Sequence, residues 1–302
     1  MAELLIEIFS EEIPARMQGP AAEQLQKLVT DALKAENLAF DSARAFSTPR
    51  RLTLVVDGLP EAQPDVKDER KGPKVGAPDQ AVQGFLRGAG LDSLDQCEQR
   101  ETPKGPVWFA VIERKGQPTA DVLPCIISQA VKDLPWPKSM RFADLGFRWV
   151  RPLRSVIALF GGKLLDGAID MAGGKIAFGD KTLGHRFLSE GEITVTGFDD
   201  YQTQLRAALV VLDAGERRDS IAAQLEEKAA AQGLSVLEDK GLLAEVAGLV
   251  EWPVVLIGKI DQQFMEVPRE VLTSSMRAHQ KYFTLNAADG SMAPNFAVVA
   301  NM

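Results

Sequence analysis

Residues Lys163–Gly179 read KLLDGAIDMAGGKIAFG, and Glu192–Gly197 read EITVTG. Gly167, Gly173, Gly174 and Gly179 cut these stretches into β-prone pieces too short for helices, and GDKTLGHRFLS (179–189) continues the pattern. Such spacing predicts strands and hairpins that follow one another directly. A doubly wound sheet would place a helix between successive strands, and that regular beat is missing here. The chain is therefore predicted to be α+β, with mixed or antiparallel sheets, packed helices and more than one subdomain.

Immediately upstream, Met140–Phe160 reads MRFADLGFRWVRPLRSVIALF. The whole chain carries 34 Lys and Arg against 42 Asp and Glu, for a net charge of −8. This window nevertheless holds Arg141, Arg148, Arg151 and Arg154, with Asp144 as its only carboxylate. The arginines are interleaved with Phe142, Phe147 and Trp149 before the apolar run Val156–Phe160. Guanidinium forks beside aromatic faces suit phosphate contact and base stacking, and they equally suit buried ion pairs. The alternation predicts apolar groups turned inward and at least two guanidinium groups reaching solvent.

Further upstream, Glu3–Phe9 reads as a first strand, and Pro20 sits where a helix can start. Leu25, Leu28, Val29, Ala32 and Leu33 then form one apolar stripe at helical spacing. Ala45–Thr48 and Leu52–Val56 look like a strand pair broken at Pro49-Arg50-Arg51. Residues 59–78 carry Pro60, Pro64, Pro73 and Pro78 among dense alternating charge, which predicts a mobile loop. Leu123, Ile126, Ile127, Ala130, Val131 and Leu134 mark the cleanest amphipathic helix, ended by Pro135 and Pro137. Downstream of the glycine-rich region, Asp213-Ala214-Gly215-Glu216 resembles a capping box ahead of Ile221, Leu225 and Ala229. VVLIGKI is a buried strand, and Gln280–Leu285 with Asn295–Asn301 a hairpin. These readings divide the chain into an N-terminal α+β subdomain, 1–135, and a second α+β region, 136–302.

At 302 residues, 45% apolar and 25% charged, the composition is that of a globular protein with room for two cores. No apolar run approaches the ~18 residues of a membrane helix, and the acidic start lacks the basic region of a signal peptide. Cys97 and Cys125 are isolated, so a reduced, cytoplasmic location is expected. Neither GxGxxG, GxxxxGK[ST], HExxH, CxxC nor GxSxG occurs, which leaves nucleotide-loop, zinc and serine-hydrolase chemistry without a motif. The only histidines are His185, beside Arg186, and His279, between Arg277 and Lys281. Histidine next to a cation suits holding an anion. If 277–281 is a strand, its period of two places Arg277, His279 and Lys281 on one face.

Several stretches taken together resemble a known family: LLIEIFSEEIPAR, FSTPRRLTLVVDGL, KGPKVGAP with AVQGFLRGAGL, SMRFADLGFRWVRPLRSVIALF, LGHRFLS and SMRAHQKYFTL. In that order they are similar to the β subunit of bacterial heterotetrameric (α2β2) glycyl-tRNA synthetase. The resemblance implies the N-terminal part of that subunit, without the HD-like and anticodon-binding domains of the family. It implies a fold similar to modules of the phenylalanyl-tRNA synthetase β subunit. It also implies partnership with the α subunit and tRNA(Gly), with ATP and Mg2+ held by the α subunit and no cofactor in this part. No membrane association is expected. On that basis Arg141, Arg148, Arg151, Arg154, His185, Arg186, Arg277, His279 and Lys281 are candidate tRNA or phosphate contacts, and no residue is expected to be catalytic. Two alternatives are an editing-type hydrolase acting on mischarged tRNA and a purely structural module that docks the α subunit. Editing is disfavoured on physical grounds, because glycine has no side chain and a tight synthetic site rejects every larger rival by overlap.

Overall fold

The computed structural model describes residues 1–103, 105–141 and 146–302. Phe142 and Asp144 of the arginine-rich window lie outside the described residues. The chain is mixed α+β, with seven α-helices among the described residues.

It opens with β1 (Ala2–Ser10), α1 (Ala15–Ala35), and the hairpin β2 (Ser42–Thr48) and β3 (Arg51–Leu59). Next come β4 (Val66–Lys74), α2 (Asp79–Ala89), β5 (Cys97–Arg100) and β6 (Val107–Arg114). These three strands form a separate sheet in the order β4-β6-β5. Helix α3 (Thr119–Asp133) leads to the two-residue strands β7 (Met140–Arg141) and β8 (Arg148–Trp149), then β9 (Leu153–Phe160) and β10 (Lys163–Leu164). β11 (Ala168–Asp170) and β12 (Lys175–Gly179) follow, then the ladder of β13 (Lys181–Leu183) with β14 (Glu192–Thr194), and α4 (Phe198–Ala207). The last part runs through α5 (Ala214–Ala230), β15 (Ser235–Val236), α6 (Lys240–Ala247) and β16 (Pro253–Lys259). It ends with α7 (Arg269–Ser275), β17 (Phe283–Asn286) and β18 (Met292–Asn301).

β1 is the keel of the main sheet, whose order is β11-β12-β9-β1-β3-β2 with β10 added beside β9. Its neighbours β3 and β9 are both antiparallel to it, whereas β12 joins β9 in parallel. Alternation along β1 sends Leu4, Ile6 and Ile8 into a core with α1 and α3. Leu5 points to the other face, where α4 lays Phe198, Tyr201 and Leu205 against Val55, Ile157 and Leu159. Both faces being covered explains why nearly every residue of β1 is buried. This sheet takes strands from both sides of the division drawn at 135/136. A third core lies between α5, α6 and the four-stranded sheet β15-β17-β18-β16.

Two local expectations change. The stretch 59–78, predicted as a mobile loop, contains β4, which pairs with β6 from Val66–Arg114 to Lys74–Val107. Proline and charge argue against a core, but a strand at a sheet edge needs backbone partners more than apolar side chains. Arg100 on β5 reaches Glu69 of β4 at 2.8 and 2.9 Å while its guanidinium lies 5.0 Å from the Phe109 ring, so alternating charge is accommodated above the sheet. Helix α1 also starts five residues ahead of Pro20, at Ala15, with the proline inside it.

Candidate nucleic-acid interface

The arginine-rich window folds as its alternation predicts. Phe147, Trp149 and Val150 are buried, whereas Arg141, Arg148 and Arg154 are exposed and Arg151 is half-buried. Trp149 anchors the segment: Trp136 meets it edge-on at 5.0 Å and Phe147 stacks on it at 6.0 Å. Arg141 and Arg148 are register partners across the β7–β8 ladder. Two like charges directly opposite one another cost stability. Arg148 donates to the Ser139 hydroxyl at 3.1 Å and the Ser139 carbonyl at 3.3 Å, and Arg151 to the Val150 carbonyl at 2.9 Å. Among the described residues, none of Arg141, Arg148 and Arg151 forms an ion pair with a carboxylate.

Arg154 behaves differently. It joins Arg186 in a surface cluster with the acidic corner after β1: Arg154 donates to Glu11 at 2.5 Å, and Arg186 to Glu11 at 3.4 Å and Glu12 at 2.7 Å. The hydrogen bond from Arg154 and the surrounding cations hold the Glu11 carboxyl below its ordinary value of 4.5. Sequence distance hid this cluster, since its members come from the corner after β1, from β9 and from the loop after β13.

His185 is buried, with its Nδ1 accepting from the Phe187 backbone N–H at 3.3 Å and its Nε2 unpartnered. It supports the loop rather than facing a substrate. Gly184 is needed beside it, because a Cβ there would approach Ser189 and Ala208 to about 2.5 Å. Phe187 stands 76% exposed on this mount.

The row Arg277, His279 and Lys281 does not form. Residues Met276–Gln280 make a wide π-helical turn continuing α7, Lys281 adopts φ 59°, and the strand begins only at Phe283. A turn of that kind fans the three side chains apart instead of aligning them at a period of two. Arg277 pairs with Asp239 at 2.5 Å and Lys281 with Glu245 at 2.9 Å, while His279 is exposed. The hydrogen bond from Arg277 lowers the Asp239 carboxyl from its usual 3.8. Both permanent cations of the row are thus already answered within the chain.

Two fully buried arginines were not singled out by sequence reasoning. Arg51 sits at 0% exposure between Glu7, at 3.2 Å, and Glu251, and also donates to the Leu183 carbonyl. Glu251 further accepts from the Thr48 hydroxyl at 2.7 Å, and Glu7 from the Tyr201 hydroxyl at 2.5 Å. Burial pushes the Glu7 carboxyl up against the opposing pull of Arg51. Arg217 donates only to backbone carbonyls, those of Ala247, Val211, Leu212 and Ser47, at 2.7–2.9 Å. Its guanidinium is lowered by burial to about 10 and stays charged at neutral pH. The pair stitches the main sheet to the C-terminal part. The break at Pro49-Arg50-Arg51 does not by itself reveal that Arg51 points inward; the topology does.

Among the described residues, no three His, Cys, Asp or Glu side chains converge as a metal site, and no helix is long and apolar enough to cross a membrane.

The family model described as glycyl-tRNA synthetase beta subunit matches residues 4–302. The glycine–tRNA ligase beta subunit of Rhodospirillum centenum is 53% identical to this chain, covering 100% of it and 45% of the relative. Those of a Ruegeria species and of Dinoroseobacter shibae are each 50% identical, with 100% of this chain covered and 44% and 42% of theirs. The chain therefore spans less than half the length of these relatives.

Proposed function

Because the chain belongs to the glycyl-tRNA synthetase beta subunit family, we propose that it is the tRNA-recognition and assembly part of a glycine–tRNA ligase. In this reading it supports ATP-dependent attachment of glycine to tRNA(Gly) together with an α subunit, which supplies the ATP and Mg2+ site, and carries no catalytic residue of its own. The proposal includes a fold related to modules of the phenylalanyl-tRNA synthetase β subunit. The observation that carries the RNA role is the Arg141–Arg148 pair, two like charges set opposite one another in a chain of net charge −8. An arrangement that costs the free protein stability is repaid when an external anion lies across it. His185, sealed in the interior, offers the hydrolytic alternative no acid–base group.

The test uses the complex of α with full-length β. The double variant Arg141→Gln/Arg148→Gln is expected to weaken tRNA(Gly) binding and to flatten the log–log salt dependence by about two units, one per lost phosphate contact. Full-length β without α is expected to give no glycine-dependent ATP–pyrophosphate exchange. Exchange by β alone would overturn the assignment of chemistry to the partner.

A further inference from the structure

Three concavities meet over the start of α1. One lies between Arg16, Pro20 and the Pro135–Lys138 turn, with a volume of about 510 Å3. A second, about 260 Å3, runs between Arg16, Lys138, Met140 and Arg151. The third, about 610 Å3, separates Pro14–Arg16 from α6 at Gly241, Ala244 and Glu245. Arg16 borders all three, Lys138 the first two and Pro14 the last two, so they adjoin as segments of one trough.

The charge along this trough is one-sided. Arg16, Lys138 and Arg151 line it, and among the described residues no carboxylate lines its first two segments. Glu245, at the far end, is paired with Lys281. Among the described residues none of the three trough cations has a carboxylate partner. Elsewhere the same surface neutralises its arginines: Arg154, Arg186 and Arg277 are each paired. The first turn of α1 adds no acidic side chain. Between the cations the walls are apolar and partly aromatic, with Met17, Trp136 and Val150. An open channel of this kind, with cations spread along it, suits an extended polyanion rather than a small enclosed ion.

We propose that the trough is a track for a phosphodiester strand of RNA, with Arg16, Lys138 and Arg151 contacting phosphates and Trp136 and Met140 lying against sugar or base. Arg16 and Lys138 thereby join the interface, and neither stood out in the sequence. The inference rests on the reading that this family member binds tRNA, and it locates that binding on one surface.

The experiment titrates tRNA(Gly) into the α–full-length β complex at several salt concentrations. Arg16→Gln, Lys138→Gln and Arg151→Gln are each expected to weaken binding roughly fivefold near 0.1 M salt and to reduce the log–log slope by about one, and the triple variant by about three. Arg16→Lys and Arg151→Lys keep the charge and should keep most of the slope, which separates lost phosphate contact from lost packing. Unfolding temperature and complex mass establish that each variant is intact. A wild-type complex whose tRNA affinity ignores salt would overturn the tRNA reading itself. A steep wild-type slope retained in the triple variant would overturn the trough alone. Loss of α binding with an unchanged tRNA slope would also overturn it, and would make this surface a protein interface.

Discussion

Arg51 and Arg16 carry the same side chain, yet the fold treats them in opposite ways. Arg51 is wholly buried, held by two carboxylates and a carbonyl. Arg16 is exposed on the trough and has no carboxylate partner among the described residues. The first ties sheet to sheet, and its charge is consumed in doing so. The second spends nothing on the fold and keeps its charge for something outside it. Charge that a protein neutralises internally marks architecture; charge it leaves open on a concave surface marks recognition.

The contrast breaks most visibly through stability. Arg51→Ala leaves Glu7 and Glu251 buried without their cation, and should cost about 3–5 kcal/mol in denaturant unfolding. A cost below ~1 kcal/mol, the range of an exposed charge, would place Arg51 in the same class as Arg16. Arg217→Ala should cost about 2–4 kcal/mol, because it strands carbonyls from Ser47, Val211, Leu212 and Ala247 without introducing an unpaired carboxylate.

The smallest effect sharpens the comparison within a single corner of the fold. Glu7 and Glu11 flank the end of β1, and their carboxyls shift in opposite directions from 4.5. Burial raises Glu7, so between pH 4.5 and the raised value the native state holds more of its proton than the unfolded chain does. Its contribution to stability therefore falls as pH rises from 4.5 toward the raised value. Glu11 is lowered by its bond from Arg154, so its contribution is complete above pH 4.5 and is lost as pH falls through the lowered value. The difference in unfolding temperature between the wild type and Glu7→Gln should shrink as pH rises from 4.5, and that for Glu11→Gln should shrink as pH falls. Parallel pH profiles for the two variants would show that the corner is not divided as the structure divides it.

Much of this organisation was legible in the sequence wherever the signal was local. The apolar stripe from Leu25 to Leu33 became α1, the 213–216 box caps α5 through Asp213 and the Glu216 N–H, and Pro135 follows the end of α3. The interleaving of arginine with Phe147 and Trp149 foretold which side chains turn in. The remainder depends on neighbours distant in the chain. β4 looked like a loop because its partner β6 lies beyond α2. The 277–281 row looked like a strand because the apolar residues after it pull the pattern toward period two, whereas the turn continues α7 to Gln280. Arg154 and Arg186 gave no hint of sharing Glu11, nor Arg16 of facing Lys138 and Arg151, since each grouping is assembled by topology.

The central position of β1 also dictates a timetable. Once β3 has emerged from the ribosome, β1 is paired along one edge only, and its other edge waits for β9. The interval from Leu59 to Leu153 takes on the order of 5–20 s to synthesise at ~5–20 residues per second. Throughout that time a strand with an apolar face of Leu4, Ile6 and Ile8 offers a row of open backbone donors and acceptors, an arrangement prone to capture by another nascent chain. Newly made chains are expected to be most vulnerable in this window, before the strand that completes the sheet has been translated, and there a holding chaperone should have its greatest effect.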